Sequence, residues 1–437
     1  MIEADLAVVD AAELVTIPGP APKIGPRLAE AGVVSRGCLA ARDGLIVFVG
    51  DEREYRRQVH LARHGVEIDA TGRTVLPGFV DPHTHLPFAG SRENEFVERL
   101  EGATYESIAA RGGGILATVR ATRQAGIDDL VRLGKGRLDI MLRHGTTTVE
   151  AKSGYGLRLE DELKQLRAVQ RLHDIHPVDL VPTFLGAHVV PPEWGDDRAG
   201  YVREVAERMI PEVAREGLAR YCDVFVERGA FTVEEAERIL DAASRHGLGL
   251  RLHAEQRSAG GGARLAARLG AASADHLEHV TEEGIEALRE AGTTAVLLPG
   301  ASFFLREARD APARRLIEAG VPVALATDCN PGTCPTEAMT AILPLACLRL
   351  GMRPAEAIAA ATLNAAHALG LAASRGSLEV GKAADLQVVD VPNHLHLAYH
   401  FGVNHCRTVI KDGRVVVEDG SIRGRDGNEG GARPGTP

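Results

Sequence analysis

The sequence predicts an α/β protein: a (β/α)8 barrel of TIM type carrying a small β-sandwich domain formed by both termini. Three observations predict it. Between residues 78 and 375, eight short strand-like runs alternate with amphipathic helical stretches, the pattern of a parallel barrel. Short strands separated by turn dipeptides occur before residue 77 and return after residue 376, as two halves of one β unit require. Ionisable residues gather at the ends of the barrel runs and not at their starts, which is where this fold builds active sites.

Residues 1–77 read as strands and turns: DLAVVD, GCLAARDGLIVFVGD and VEIDATGRTVLPG. The barrel follows over 78–375. Its runs are VLPGFVDPHTH, GTTTVEAKSGYG, DLVPTFLGAHVV, YCDVFVE, LGLRLHAEQ, AASADHLEH, TTAVLLPGAS and VPVALATDCNPG. Stretches such as DELKQLRAVQRLH, AGYVREVAERMIPEVAREG, TVEEAERILDAASRHG and TEEGIEALREAG separate them, with acidic first turns and glycine at several ends, as helix capping predicts. The second sandwich part, 376–424, contains GSLEVGKAADLQVVDV and RTVIKDGRVVVEDG, whose DG and GR dipeptides mark hairpin turns. A barrel inserted between the two parts brings the chain ends together. Residues 425–437 carry almost nothing apolar, so a flexible tail is expected there.

With 437 residues, 45% of them apolar and 25% charged, the chain has the balance of a globular protein able to bury a large core. A net charge of −10 and the lack of a basic stripe with interleaved aromatics argue against nucleic acid and for a small-molecule substrate. No run approaches the roughly 18 apolar residues needed to cross a bilayer, so no membrane partner is expected. The start, MIEADLAVVDAAELVTI, has acidic residues within its apolar run and no basic leader, so a cytoplasmic location is expected. Cys38, Cys222, Cys329, Cys334, Cys347 and Cys406 are widely scattered, which suits reduced thiols better than a disulfide framework.

His83 and His85 close the first barrel run, His253 the fifth, and Asp328 the eighth. Two histidines two apart on a strand share one face and can hold one ion. Imidazole nitrogens with one carboxylate suit zinc or iron and leave a position open to water. A core role in hydrogen bonding would not explain why these residues share strand ends. His188 and His276 end the third and sixth runs on the same face, where imidazole can polarise a carbonyl or move a proton near neutral pH.

The PGFVDPHTH start, the HAEQ and ADH segments, the ATD strand end and the flanking β segments resemble the amidohydrolase superfamily over nearly the whole chain. The strings HLPFAGSRENEF, ARGGGILATVRATR, EAKSGYGL, TFLGAHVVPPE, SADHLEH, VLLPGASFFL and ATDCNPGTCPTE resemble, more narrowly, the imidazolonepropionase family. That family hydrolyses 4-imidazolone-5-propanoate to N-formimidoyl-glutamate in histidine degradation. The resemblance implies a homodimer with one zinc or iron ion per subunit, held by His83, His85, His253 and Asp328. It also implies substrate contacts at Arg92, Tyr155, His188, Gln256, Asn330, Gly332 and Thr333.

These positions have physical readings of their own. Arg92, in the loop leaving the first run, can take a propionate carboxylate bidentately, or else pair locally with Glu93 or Glu95. Tyr155 can offer its phenol, and the NPGT turn can present Asn330, Gly332 and Thr333. Some members of the family carry Glu where this chain has Gln256, and an amide cannot act as a general base. Glu255 points to the opposite side if its strand continues, so proton transfer falls to Asp328, His276 or metal-bound hydroxide; Asp328 is the expected base, with His276 and His188 stabilising the oxyanion.

Other features carry less. Lys152 ends the second run, whereas the bridging lysine of two-metal amidohydrolases comes from the fourth, so one metal is expected. Cys329 and Cys334 lack the second pair of a structural zinc site. His394, His396, His400 and His405 read as packing or surface residues. An aminohydrolase acting on a purine or pyrimidine is the alternative enzyme, distinguished by ammonia release; a non-catalytic metal-binding scaffold is the alternative outside enzymes.

Overall fold

The computed structural model describes residues 1–104, 107–108 and 111–423. The tail expected at 425–437 lies outside the described residues. All eight barrel runs form strands: β1 Phe79–Asp81, β2 Thr146–Lys152, β3 Asp179–Ala187, β4 Tyr221–Val226, β5 Gly249–Ala254, β6 Ser273–His276, β7 Thr294–Leu297 and β8 Val323–Leu325. They pair in parallel and in chain order as one eight-stranded sheet. Every residue of β2 is buried, because helices cover the outside of a parallel barrel while side chains fill its inside.

Between β1 and β8 the barrel closes at its C-terminal rim. The Asp328 amide donates to the His83 carbonyl at 3.0 Å and the His85 amide to the Cys329 carbonyl at 3.0 Å. Below them the Thr327 hydroxyl donates to Asp81 Oδ2 at 2.5 Å. In the walls, His253 stands level with Phe225 of β4 on one side and Asp275 of β6 on the other.

The helices follow from local signals. Thr232 and Glu235 form a capping box before the helix Val233–Arg245. The stretch expected as one helix over AGYVREVAERMIPEVAREG contains a π-helical turn, Val205–Met209, just before Pro211. Proline has no N–H to donate and its ring clashes with the carbonyl four residues back, so the ladder widens there. Among the described residues no helix is long and apolar enough to cross a membrane.

The two ends of the chain meet in one nine-stranded mixed sheet. The strand Thr74–Pro77 joins them: it runs parallel to Ile2–Val15, with Glu13 opposite Thr74, and antiparallel to Leu386–Val389, with Leu386 opposite Pro77. Leu6, Leu14 and Leu39 from the first half pack with Leu386, Val388 and Ile410 from the second in one buried cluster. An ion network fastens this unit to the N-terminal rim of the barrel. Lys411 reaches Asp412 at 2.7 Å, Asp179 at 3.0 Å and Asp385 at 3.2 Å, and Arg375 reaches Asp179 at 2.8 Å.

Candidate metal centre and active site

The four expected ligands converge at the C-terminal rim. His83, His85, His253 and Asp328 are at most 3% exposed. β1 ends at Asp81, so His83 and His85 stand just beyond the strand and not on it. Their placement comes instead from the rim hydrogen bonds to residues 328 and 329. His85 Nε2 lies 3.4 Å from His253 Nε2 and 3.3 Å from Asp328 Oδ1, and His83 Nε2 lies 3.5 Å from the same oxygen. Donor atoms at 2.0–2.1 Å from a shared ion in a tetrahedron are about 3.3–3.4 Å apart. His83 Nε2 and Asp328 Oδ1 are buried and have no hydrogen-bond partner among the described residues, a costly arrangement unless an ion takes them. The residues therefore fit one metal ion.

Carboxylates behind the ring fix two of the imidazoles. Asp275 Oδ2 accepts from His83 Nδ1 at 2.6 Å, and Asp223 accepts from His253 Nδ1 at 3.0 Å. A carboxylate on Nδ1 sets the tautomer that leaves Nε2 free to coordinate. Burial, followed by nearby Lys152, holds His83 well below the usual histidine range; burial likewise brings His253 down to about 4. Both rings are thus neutral around pH 7, with Nδ1 carrying the proton and Nε2 bare, the state that binds metal. Burial pushes the Asp328 carboxyl up, but His85, His276 and His253 outweigh it and leave it below the usual carboxylate range.

His276 lies beside this set. It shares with His83 and Asp328 a second group of donor atoms within 4.8 Å of one another. Burial lowers its proton affinity, yet Glu278, Asp328 and Asp275 more than restore it, so the ring tends towards the protonated form. The backbone is held in the left-handed region at His276 (φ 80°), Leu277 (φ 71°) and Asp328 (φ 56°). Strain of this kind persists where the surrounding structure over-determines a site.

His188 stacks on His85 with ring centroids 5.1 Å apart. Its Nδ1 is 3.0 Å from the Gly154 carbonyl. A carbonyl only accepts, so Nδ1 carries the proton and the neutral ring has Nε2 as an acceptor. The expected donation from His188 to an oxyanion does not suit this tautomer. Tyr155 is 3% exposed and faces both His85 and His188, at 5.8 and 5.5 Å between ring centroids.

Arg92 combines the two readings given to it. Glu95 accepts from its Nε at 2.8 Å, while its side chain is only 10% exposed. The guanidinium lies against Gly332: a Cβ built there would be 2.0 Å from Arg92 Nη1. The local ion pair therefore holds the Nε edge and the Nη edge is packed beside the turn that follows Asp328.

That turn is built differently from expectation. Asn330 Oδ1 accepts from the amides of Gly332 and Thr333, both at 2.8 Å, and its Nδ2 donates to the Asp328 carbonyl and Thr333 Oγ1, both at 2.7 Å. All four hydrogen-bonding positions of the amide are engaged. Asn330 shapes the turn instead of presenting its amide to a ligand. Thr333 Oγ1 in turn donates to Asp328 Oδ2 at 3.0 Å.

β5 stops at Ala254, and Glu255 takes φ 55°. The strand does not continue as assumed, but Glu255 still leaves the site, because its carboxylate accepts from the Gly261 amide at 3.0 Å. Gln256 is 9% exposed and makes no hydrogen bond to the described residues. Glu227 accepts from the amide of Arg257 and the hydroxyl of Ser258, closing the loop after β5. Cys329 and Cys334 are buried thiols that belong to neither donor group. His394 pairs with Glu13 at 2.7 Å, and His396, His400 and His405 form no donor group among the described residues.

Sequence reasoning missed Glu150, Asp223, Arg251 and Asp275, all buried in the barrel core. The available signal was a charged residue inside an otherwise apolar strand, as in YCDVFV and GLRLHA, which needs a partner across the barrel.

A family model described as the amidohydrolase family matches residues 74–416. The imidazolonepropionase of Symbiobacterium thermophilum is 55% identical over 422 residues, covering 96% of this chain and 99% of that one. That of Geobacillus kaustophilus is 54% identical over 420 residues, covering 95% and 99%. Among solved structures, an adenosine deaminase from Xanthomonas campestris with bound zinc aligns with a TM-score of 0.72 at 21% identity, covering 97% of this chain and 95% of that one. A triazine hydrolase variant aligns at 0.72 and 18% identity, covering 95% of each. These structures share the fold. The closely similar sequences and the family match say more: the chain belongs to the imidazolonepropionase family of amidohydrolases.

Proposed function

We propose that this chain hydrolyses the ring C–N bond of 4-imidazolone-5-propanoate to give N-formimidoyl-L-glutamate, the reaction of histidine degradation. The observation that carries the reading is the convergence of His83, His85, His253 and Asp328 on one metal-sized set of donors, in a chain 55% identical to an imidazolonepropionase over nearly its full length.

One zinc or iron ion per subunit fits these nitrogen and oxygen donors, and when bound it supplies a Lewis acid and a water of lowered pKa. The chain's own residues do the rest. Water adds to the ring carbonyl carbon and loses a proton to Asp328, whose carboxylate Thr333 orients. His276 donates to the oxygen that gains negative charge. The carbonyl C–N bond then breaks, Asp328 returns the proton to the departing nitrogen, and both ring nitrogens remain in the formimidoyl product. One water is consumed and no ammonia is released.

Arg92 pairs with the propionate carboxylate through its Nη edge. His188 accepts from a ring N–H, as its tautomer favours, with Tyr155 beside it and Gln256 offering a neutral amide. Asn330, Gly332 and Thr333 form the wall next to Asp328. We assign Gln256 to binding, since it cannot take a proton at neutral pH.

Loss of imidazolone absorbance on adding purified protein to fresh substrate tests the reading, with zinc and iron measured on the same sample. Turnover without ammonia is expected; no turnover at full metal occupancy, or ammonia release, would overturn it. The reading extends to a cytoplasmic homodimer, in keeping with the family resemblance and with six cysteines that form no disulfide. A single-chain mass in sedimentation would remove the dimer, and recovery outside the cytoplasm on cell fractionation would remove the location.

A further inference from the structure

Five charged side chains lie beneath the metal ligands with no exposure to solvent: Glu150, Lys152, Asp223, Arg251 and Asp275. Lys152 is their hub. Its Nζ is 2.7 Å from Asp223 Oδ2, 2.8 Å from Glu150 Oε1 and 3.8 Å from Asp275 Oδ2. Asp223 and Asp275 are the two carboxylates that accept from His253 and His83. Arg251 braces the same group, reaching Glu150 at 3.0 Å and Asp275 at 3.4 Å and donating to the Pro82 carbonyl at 2.7 Å.

We propose that Lys152 is a positioning residue of the metal centre, whose ammonium ties together the two carboxylates that orient His253 and His83. Asp223 comes from β4 and Asp275 from β6, so no backbone hydrogen bond joins them and their like charges repel. A cation between them removes that repulsion and gives each carboxylate one fixed rotamer. Each then presents an oxygen to an imidazole Nδ1 in the direction that aims Nε2 at the shared ion. Glu150 anchors the hub from outside the pair, being held itself by the Thr183 hydroxyl at 2.6 Å.

The competing account is an ion cluster that only fills the core. Buried ion groups of that kind are often replaceable by apolar side chains without loss. The two accounts differ in what removing the lysine does to the metal. A positioning role also differs from coordination, since Lys152 Nζ is already engaged by carboxylates.

The inference rests on the metal reading above, and the test separates the two. Full-length wild type and Lys152→Met are stripped and reloaded; zinc affinity is measured by chelator competition, and the cobalt-substituted proteins are compared by visible absorption. Lys411→Met is the matched control, because Lys411 is also buried and meets three carboxylates, but at the opposite rim. Lys152→Met should bind zinc about 10–100-fold more weakly and shift the cobalt bands, the range seen when outer-shell partners of metal ligands are lost. Lys411→Met should leave both unchanged. Zinc affinity of Lys152→Met within twofold of wild type, with an unaltered cobalt spectrum, would overturn the proposal.

Should Lys152→Met not fold, Glu150→Gln decides. It loosens the hub without touching Asp223 or Asp275, and a several-fold weaker affinity is expected; wild-type affinity would overturn the proposal. A wild-type chain that takes up no ion overturns the metal reading and this inference with it.

Discussion

The main-chain amide of Asp328 donates to the carbonyl of His83 at 3.0 Å, so the hydrogen bond that closes the barrel also sets two of the proposed metal ligands side by side. The next contact up, from the His85 amide to the Cys329 carbonyl, does the same for the third. Closure and ligand register are therefore one event: the rim cannot form without bringing donors from residues 83, 85 and 328 together. His253 completes the set from the far wall.

The first prediction concerns that set. Metal should raise the thermal midpoint of the stripped wild type, because binding to the folded state adds about 4 kcal/mol at a thousand times the dissociation constant. His253→Ala should show no such rise at the same metal concentration and no measurable turnover. A variant that still gains stability with metal and still turns over would remove His253 from the ligand set.

Arg92 and Gly332 form a second, separable case. Gly332 has an ordinary backbone conformation, yet a Cβ there would meet Arg92 Nη1 at 2.0 Å, so alanine is tolerated by the chain and displaces the guanidinium. Arg92→Ala should lower kcat/KM by roughly 10–150-fold, the worth of a hydrogen bond to a charged group, mainly through KM. Gly332→Ala should cost a smaller factor, and the double variant should be no worse than Arg92→Ala alone. Additive losses would show that the glycine acts by another route.

Gln256 gives a prediction about pH. An amide does not titrate, so Gln256→Ala should raise KM while leaving both limbs of the kcat profile where they are in the wild type. A displaced limb would mean that the amide governs the proton transfer assigned to Asp328.

The seam between barrel and sheet domain supplies a stability test. Removing one partner of a buried ion group costs about 3–5 kcal/mol, so Lys411→Met should lower the denaturation midpoint strongly while sparing metal affinity. Burial raises the Asp412 carboxyl, but Lys411 and Arg375 outweigh it and hold it below its ordinary value of 3.8. A depressed folded value means stability present above 3.8 and lost as pH falls through the lower folded value. Wild type should therefore lose stability below about pH 4, and Lys411→Met should lose less over that range. Equal slopes would place the acid sensitivity elsewhere.

Much of this was legible in the chain before folding. Eight alternating runs declare the barrel because hydrophobic periodicity is a local property, and both faces of a barrel strand must be apolar. The convergence of His83, His85, His253 and Asp328 was legible for the same reason: active-site residues of this fold sit where strands end, so the proposed ligands could be read from position in their runs. The arginine at 92 showed its type, though not which edge of its guanidinium Glu95 would occupy.

Tertiary structure alone decided the rest. Asn330 looks from sequence like a donor to substrate, and only the turn shows its amide consumed by four local bonds. Asp223, Asp275 and Lys152 lie on three strands, and Asp275 meets a histidine 192 positions away. Sequence reveals which residue types a strand carries; it does not reveal which charged side chains the barrel will press together where water cannot screen them. That burial turns three scattered ionisable residues into the support of a metal site.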